Sequence, residues 1–424
     1  MFQTIVNAFK IKEVRTKIFI TIALIFVYRL GCYIPVPGVD MFKGLESYNF
    51  LQIMSAVSGG ALQYGTFFAM GIGPYINASI IIQLLTVGIP ALERLSKQGE
   101  EGRRRINTYT RILTLVLAVA QAIGILVGFK DSVQTAQIFG SEGFLKFLSY
   151  AFLVIVYTAG ASLTMWIGER ITDYGVSNGI SLLIFAGIIS TAGTAIINLF
   201  RNWDDGSIWT IVGFVIATII IFGAIVTVNS AERKISVQYA KQVKGRKMYG
   251  GQSTHIPIKI NASGVMPLIF AFSILSFPDL IMNLIGFQPA AWYKEVFGTG
   301  GWAYMVLLCL LILFFSYFYN QIQFNPDDIS KSIQQNGGFI PGTRPGKPTA
   351  DYLKKVSNRI TLFGAIFLAI LALVPSLVFK AIGGDSLMNV FSATGLLIIV
   401  SVALEFEQAL QSQIMMKNYK GFLK

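Results

Sequence analysis

The chain has 424 residues, 54% of them hydrophobic and 13% charged, with a net charge of +13 and a mean hydropathy of +0.62. Soluble domains carry about 25% charged residues, so the composition excludes a soluble globular fold and fits a polytopic membrane protein. The two cysteines, Cys32 and Cys309, fall within predicted spans, which excludes a disulfide framework and leaves them as small buried apolar residues.

At the N-terminus, MFQTIVNAFKIKEVR places Phe2, Ile5, Val6 and Phe9 on one helical face, followed by Lys10, Lys12 and Arg15. This reads as an amphipathic helix on the inner leaflet; a frayed leader is the alternative. Ten spans follow, at 18–36, 59–87, 112–129, 146–168, 180–200, 208–229, 264–286, 302–320, 360–380 and 387–405. The first begins beyond a charged leader and has no cleavage-like site after it, so it is a retained anchor.

The second span is broken. It reads GGALQYGTFFAMGIGPYINASIIIQLLTV, with Gly71, Gly73 and Pro74 at its centre. Glycine weakens a helix, and proline lacks a backbone donor. The piece from Gly59 to Met70 is expected as a half-helix, too short for a crossing that needs about 20 residues. Such a piece is tolerated only inside protein or beside a water-filled cavity, so the break marks a pathway through the membrane.

Charge fixes the orientation. Of the 34 lysines and arginines, 27 lie in the N-terminus, the loops 88–111, 169–179, 230–263 and 321–359, and the C-terminal tail. That set is cytosolic, with both termini inside. Five spans precede the loop RNWDDGS at 201–207 and five follow it. Halves with an odd number of spans have opposite topology, which permits an inverted repeat of 1–200 and 208–424 about an external hinge. The expected fold is all-α, with ten transmembrane helices in two inverted five-helix halves.

Two cytosolic loops are long enough to be structures. In 230–263, Ile235, Val237 and Tyr239, then Ile256, Ile258 and Ile260, alternate with other residues, which predicts a β-hairpin with a basic tip at Lys244, Arg246 and Lys247. In 321–359, Asn325-Pro326-Asp327-Asp328 starts a short helix that Gly337-Gly338 stops. FIPGTRPGKP carries Arg344 in a run of turns, and Thr349 is expected to cap the helix that feeds the ninth span. Ordered, basic, protruding loops suggest a docking surface for a large partner; a solvated topogenic loop is the plainer reading.

Enzyme chemistry lacks parts. The only histidine is His255, in a cytosolic loop, and no HExxH, GxSxG, Walker loop or pair of intramembrane acids is present. No metal or cofactor is expected. A coupled transporter would carry ionisable residues at membrane depth. Here Arg29 lies towards the outer end of the first span, and Glu405 and Glu407 lie at the cytosolic end of the last. The spans otherwise hold neutral polar residues (Asn77, Ser79, Gln83, Gln121, Ser273) and many isoleucines. A conduit with an apolar constriction fits better than a carrier.

Five stretches carry a resemblance: GIGPYINASIIIQLLTV (71–87), SKQGEEGRRRINTYTR (96–111), VSNGISLLIFAGI (176–188), YAKQVKGRKMYGGQSTHIPIKIN (239–261) and FNPDDISKSIQQNGGFIPGTRPGKPTADYL (324–353). In these, and in their order along the whole chain, the sequence resembles the SecY family of bacterial protein-translocation channels. The resemblance implies a clamshell of two halves around an hourglass pore in the cytoplasmic membrane. It implies a waist ring of Ile72, Ile76, Ile180, Ile184, Ile269 and Ile398, although packing between spans must explain most isoleucines in such a chain. It implies a displaceable plug at Gly59, Gly60, Ala61, Leu62, Gln63, Tyr64, Gly65, Thr66, Phe67 and Phe68, with glycine allowing loose packing. Ser79, Gln83, Gln121 and Ser273 match a lateral gate that releases transmembrane segments into lipid. Lys244, Arg246, Lys247 and Arg344 match positions that dock the ribosome or the SecA motor ATPase, and the partners implied are SecE, SecG and signal-bearing polypeptides. An inverted-repeat solute transporter is the runner-up.

Overall fold

The computed structural model describes residues 2–42, 49–135, 138–140, 142–201, 208–239, 242–244, 247–249, 253–261, 264, 266–285, 293, 296, 301–382 and 393–421. Helix α1 is Phe2–Lys10, α2 Lys12–Gly31, α3 Asn49–Val57, α4 Gly73–Gly88 and α5 Pro90–Ser96. Then come α6 Glu100–Gly128, α7 Gly143–Tyr174, α8 Gly179–Arg201 and α9 Ile208–Ser230. The cytosolic strands are β1 Glu232–Tyr239, β2 Gln242–Lys244, β3 Lys247–Tyr249 and β4 Ser253–Lys259. After α10 (Met266–Ile285) and α11 (Trp302–Gln323) come α12 (Pro326–Gln335) and β5 (Gly338–Phe339), and the described chain closes with α13 (Lys347–Ile382) and α14 (Ala393–Gly421).

Ten of these, α2, α4, α6–α11, α13 and α14, stand at the ten expected spans. Five pass a test of length and hydropathy on the described residues, and α4 with α5 counts as a sixth, bent by 105°. Several helices outrun the apolar segments that predicted them. Helix α6 starts at Glu100, where Arg105 pairs with Glu101 one turn away at 2.9 Å, because a helix continues into water when its polar face is solvated. The first span is shorter than 18–36: its helix ends at Gly31, ahead of Pro35 and Pro37. In α1, Val6 and Phe9 are exposed while Ala8 is buried against Val14, Ile18 and Leu410, as a surface-lying helix requires.

The expected half-helix at 59–70 is absent. Residues 58–72 form turns, and the short helix lies before them at α3. Gly59, Gly60, Gly65 and Gly71 take positive φ values between 51° and 85°, a conformation that a right-handed helix cannot contain. Gly59 and Gly65 do not pack loosely either. A Cβ on Gly65 would meet Val39 at 2.7 Å. Pro74 sits in the first turn of α4, where its missing donor costs nothing, so it starts that helix.

The two cytosolic loops form one lobe. Strand β1 pairs antiparallel with β4, Ile235 opposite Ile256, and β5 adds on its other edge in the order β4-β1-β5. Ile235, Val237 and Ile258 then share a core with Ile333 of α12, Ile340 and Leu353 of α13. Asn325 caps α12 by accepting from the Asp327 amide. Thr349 is not the cap of α13: the helix starts two residues earlier, and the Thr349 hydroxyl donates to the Arg344 carbonyl at 2.7 Å.

Three apolar cores organise the membrane part. One fills the N-terminal half from α3, α6, α7 and the segment 62–70. Another fills the C-terminal half from α9, α10, α11, α13 and α14. The third lies between them and draws on both.

Candidate pore, plug and gate

The central core is the candidate site. Ile72 ends the turn segment and Ile76 follows one turn into α4; Ile180 and Ile184 are one turn apart on α8; Ile269 comes from α10 and Ile398 from α14. Residues four apart share a helix face, so two helices each present a pair. All six belong to this one cluster. Ile72, Ile184 and Ile398 are buried, and Ile76, Ile180 and Ile269 are half-buried. None of these side chains can replace a hydration shell, so a constriction made of them opposes ions.

The segment 59–68 presses on that cluster. Ala61, Phe67 and Phe68 are members of it, and the Phe68 ring stacks on Tyr28 of α2 at 5.7 Å. Gln63 and Tyr64 face outward. Backbone bonds stitch the segment to the chain after α2: Phe67 donates to Ile34 and Phe42 to Gln63, both at 2.9 Å. From α7, the Tyr157 hydroxyl donates to the Gly65 carbonyl at 3.2 Å. Gly160 lets α7 come so close that a Cβ there would lie 2.1 Å from the Phe67 carbonyl oxygen. Tyr157 is absent from the sequence expectation. Its signal is available, because a tyrosine inside an apolar span needs a partner for its hydroxyl.

Of the four polar gate positions, Gln83 joins elements across a seam. Its Oε1 on α4 accepts from the Tyr319 hydroxyl of α11 at 2.7 Å, and its Nε2 donates to Ser79 at 3.4 Å. Ile80 of α4 packs into the C-terminal core with Phe270 and Tyr319, whose rings meet edge-on at 4.8 Å. Gln121 is buried on α6 with its Oε1 unpartnered. Ser273 is half-buried on α10, which packs against α6. Where α4 and α6 meet α10 and α11, the described residues hold the side of the bundle by aromatic packing and the Gln83–Tyr319 hydrogen bond.

The basic positions lie on the cytosolic lobe. Lys244 and Lys247 face each other as the last pair of the β2–β3 ribbon; their side chains, and the whole of Arg246, lie outside the described residues. Arg344 is exposed, between the left-handed glycines Gly342 and Gly346. At the end of α5, Glu93 and the following Lys97 pair at 2.6 Å, which holds the Glu93 carboxyl below the usual carboxylate range and pushes the Lys97 ammonium up.

A family model described as SecY matches residues 66–407. The chain belongs to the SecY family. It is 40% identical over its whole length, and over the whole length of each relative, to proteins named protein translocase subunit SecY from Streptomyces scabiei and Streptomyces griseus. A SecY from Thermotoga maritima is 39% identical, covering all of this chain and 98% of its own. Among solved structures, one described as the structure of a protein conducting channel superposes with a TM-score of 0.65 at 20% identity, over 94% of this chain and 92% of the other. Another, at a TM-score of 0.62 with the same identity and coverage, is described as showing that the plug domain of SecY stabilizes the closed channel and maintains a membrane seal. The ten helices here take up that fold, two five-helix halves arranged as a clamshell.

Proposed function

We infer that this chain is the pore-forming subunit of a protein-translocating channel in a bacterial cytoplasmic membrane, passing unfolded secretory chains across it and releasing transmembrane segments sideways into lipid. The observation that carries this reading is the central cluster. Six isoleucines, Ile72 from the turn before α4 and five from α4, α8, α10 and α14, belong to one cluster between the halves, with the non-helical segment packed into it. Ile72, Ile76, Ile180, Ile184, Ile269 and Ile398 act as the waist seal, and 59–68 acts as the plug. The halves 1–200 and 208–424 move about the loop 201–207, whose residues 202–207 lie outside the described set.

Branched aliphatic walls yield around a passing peptide without binding it. The seam of Ser79, Gln83, Gln121 and Ser273, with Tyr319 added, is the lateral gate. Polar contacts between membrane helices contribute only about 0.6 kcal/mol each, so an apolar signal sequence can part them. No covalent chemistry is assigned to the chain; energy comes from a bound motor, the ribosome or the membrane potential. Lys244, Arg246, Lys247 and Arg344 dock SecA or the ribosome, whose phosphate-rich RNA suits basic tips. SecE and SecG complete the assembly, and both termini lie in the cytosol, where 27 of the 34 basic residues also lie.

The test sets this reading against a solute carrier, which the family membership does not favour. In membranes carrying the full-length chain, a signal-bearing nascent polypeptide should crosslink to cysteines placed at Ile76 and Ile184. Absence of that crosslink, with saturable uptake of a small solute instead, would overturn the reading. Arg344→Glu should impair motor-driven export while the chain still inserts.

A further inference from the structure

Arg29 is a cation near the outer end of α2, in a span that otherwise offers it no acid. One arm of its guanidinium is satisfied: Nη2 donates to Ser190 of α8, and the group lies 5.4 Å over the Tyr33 ring. The other terminal nitrogen, Nη1, is enclosed and has no hydrogen-bond partner among the described residues. A buried charged donor left unpaired is costly, so its placement needs a reason.

Nη1 occupies the space that a Cβ on Gly59 would need, 2.0 Å from that position. Gly59 follows the end of α3, whose Met54, Ser55 and Ala56 carbonyls accept from the amides of Ser58, Gly60 and Gly59 and whose terminus carries the negative end of the helix dipole. The same joint is pinned from α8. A Cβ on Gly187 would fall 1.8 Å from the Val57 carbonyl oxygen, and the Thr191 hydroxyl reaches the Ala56 carbonyl at 3.4 Å. Ser190 lies on the same stretch of helix, two turns beyond Ile184. The cation thus sits where α2, α8 and the start of the plug segment converge, next to a helix C-terminus.

We propose that Arg29 is the positioning residue that seats the plug: held by Ser190 and Tyr33, its guanidinium fills the joint between α3 and Gly59 and keeps 59–68 against the isoleucine cluster. This rests on the reading of 59–68 as the plug. Glycine at 59 is then required twice over, for its φ of +70° and for the room it gives the guanidinium. When the segment leaves, the cation loses the field of the α3 terminus, which biases the segment towards its seat.

The experiment is a conductance measurement on the full-length chain in its native assembly, reconstituted in lipid vesicles and compared at equal amounts of assembled channel by size-exclusion. Arg29→Gln should raise the resting ion leak about fivefold, the scale of losing a cation at a helix C-terminus, and Arg29→Lys should raise it less. Gly59→Ala, which displaces Nη1 and also strains a backbone held at a φ of +70°, should leak at least as much as Arg29→Gln. In a chain lacking 59–68, Arg29→Gln should add nothing. If the deletion leaks and neither Arg29→Gln nor Gly59→Ala does, Arg29 does not seat the plug, and the plug reading survives. If Arg29→Gln leaks further in the deleted chain, its role lies elsewhere and the proposal falls. If the deletion itself does not leak, the plug reading fails and takes this one with it.

Discussion

In the cytosolic lobe, β1 is hydrogen-bonded along its length to β4 and at its end to β5, and Asn325 caps the helix beside them. At the waist, six isoleucines, five from four helices and Ile72 from the turn before α4, belong to one apolar cluster. Pulling the lobe apart would leave backbone donors and acceptors unpaired, at about 1–3 kcal/mol for each buried group. The six isoleucine side chains themselves have no donors or acceptors to strand when they part, and apolar groups of an entering chain can replace their contacts. On the proposed function, the difference separates two duties: a surface that grips a large partner must keep its shape, whereas a seal that passes a chain must give way repeatedly.

The largest expected effect lies at the waist. Replacing Ile72, Ile76, Ile180 and Ile184 together by glycine should open a wet path and raise resting ion conductance by orders of magnitude, because dewetting of an apolar constriction is what excludes ions. The lobe should be intact in that variant, judged by proteolysis of 232–259. An unchanged conductance would mean the cluster is ordinary packing. Next in size, Leu353→Ala empties a fully buried position of the lobe core and should destabilise it by about 2–5 kcal/mol. Lobe proteolysis should then rise with no change in resting conductance. A leak in that variant would show that lobe and waist are one cooperative unit, and the contrast between them would collapse.

Much of this was legible in the sequence, and what was not has physical causes. Hydropathy found the ten spans, because burial in lipid imposes a composition that water does not. It missed the helix ends, since Glu100–Arg111 and the residues before the ninth span are helical in water. Alternation at Ile235–Tyr239 and Ile256–Ile260 located the hairpin, but β5 is two residues long, too short to show a period. The turns at 58–72 were misread as half a helix because apolar composition says nothing of φ; the four positive-φ glycines were the available signal. Tyr157, Tyr319 and Arg29 went unassigned since their partners, Gly65, Gln83 and Ser190, lie 92, 236 and 161 residues away. No local pattern encodes such pairs.

Smaller changes sharpen the comparison. Asn325→Ala removes the α12 cap and should cost the lobe about 1 kcal/mol, read as faster amide exchange in α12 alone. Tyr319→Phe removes the hydrogen bond across the seam while keeping the ring against Phe270. At about 0.6 kcal/mol for such a bond, it should shift the balance of open and shut gates about threefold, measured as crosslinking between cysteines placed at Ser79 and Ser273. A shift far beyond that would mean that the seam depends on polar contacts as the lobe does.

The smallest effect concerns pH, and it tests whether charge matters at the waist. At the C-terminal end of α5, Lys97 bonds to Glu93 with both side chains well exposed, at 73% and 49%. The bond lowers the Glu93 carboxyl and raises the Lys97 ammonium. A lowered carboxyl contributes stability above its unfolded value and loses it as pH falls through the folded one. A raised ammonium contributes below its unfolded value and loses it as pH rises through the folded one. Between the carboxylate and lysine ranges the pair is therefore constant. Acidification should speed amide exchange in Pro90–Ser96 only below the carboxylate range, and added salt should erase the effect, because exposed pairs are screened. Glu93→Gln should remove it. Resting conductance should stay flat across the same titration, since no isoleucine in the cluster can take up a proton. A leak that followed the titration would place an acid on the closing side of the waist and end the claim that apolar contact alone seals it.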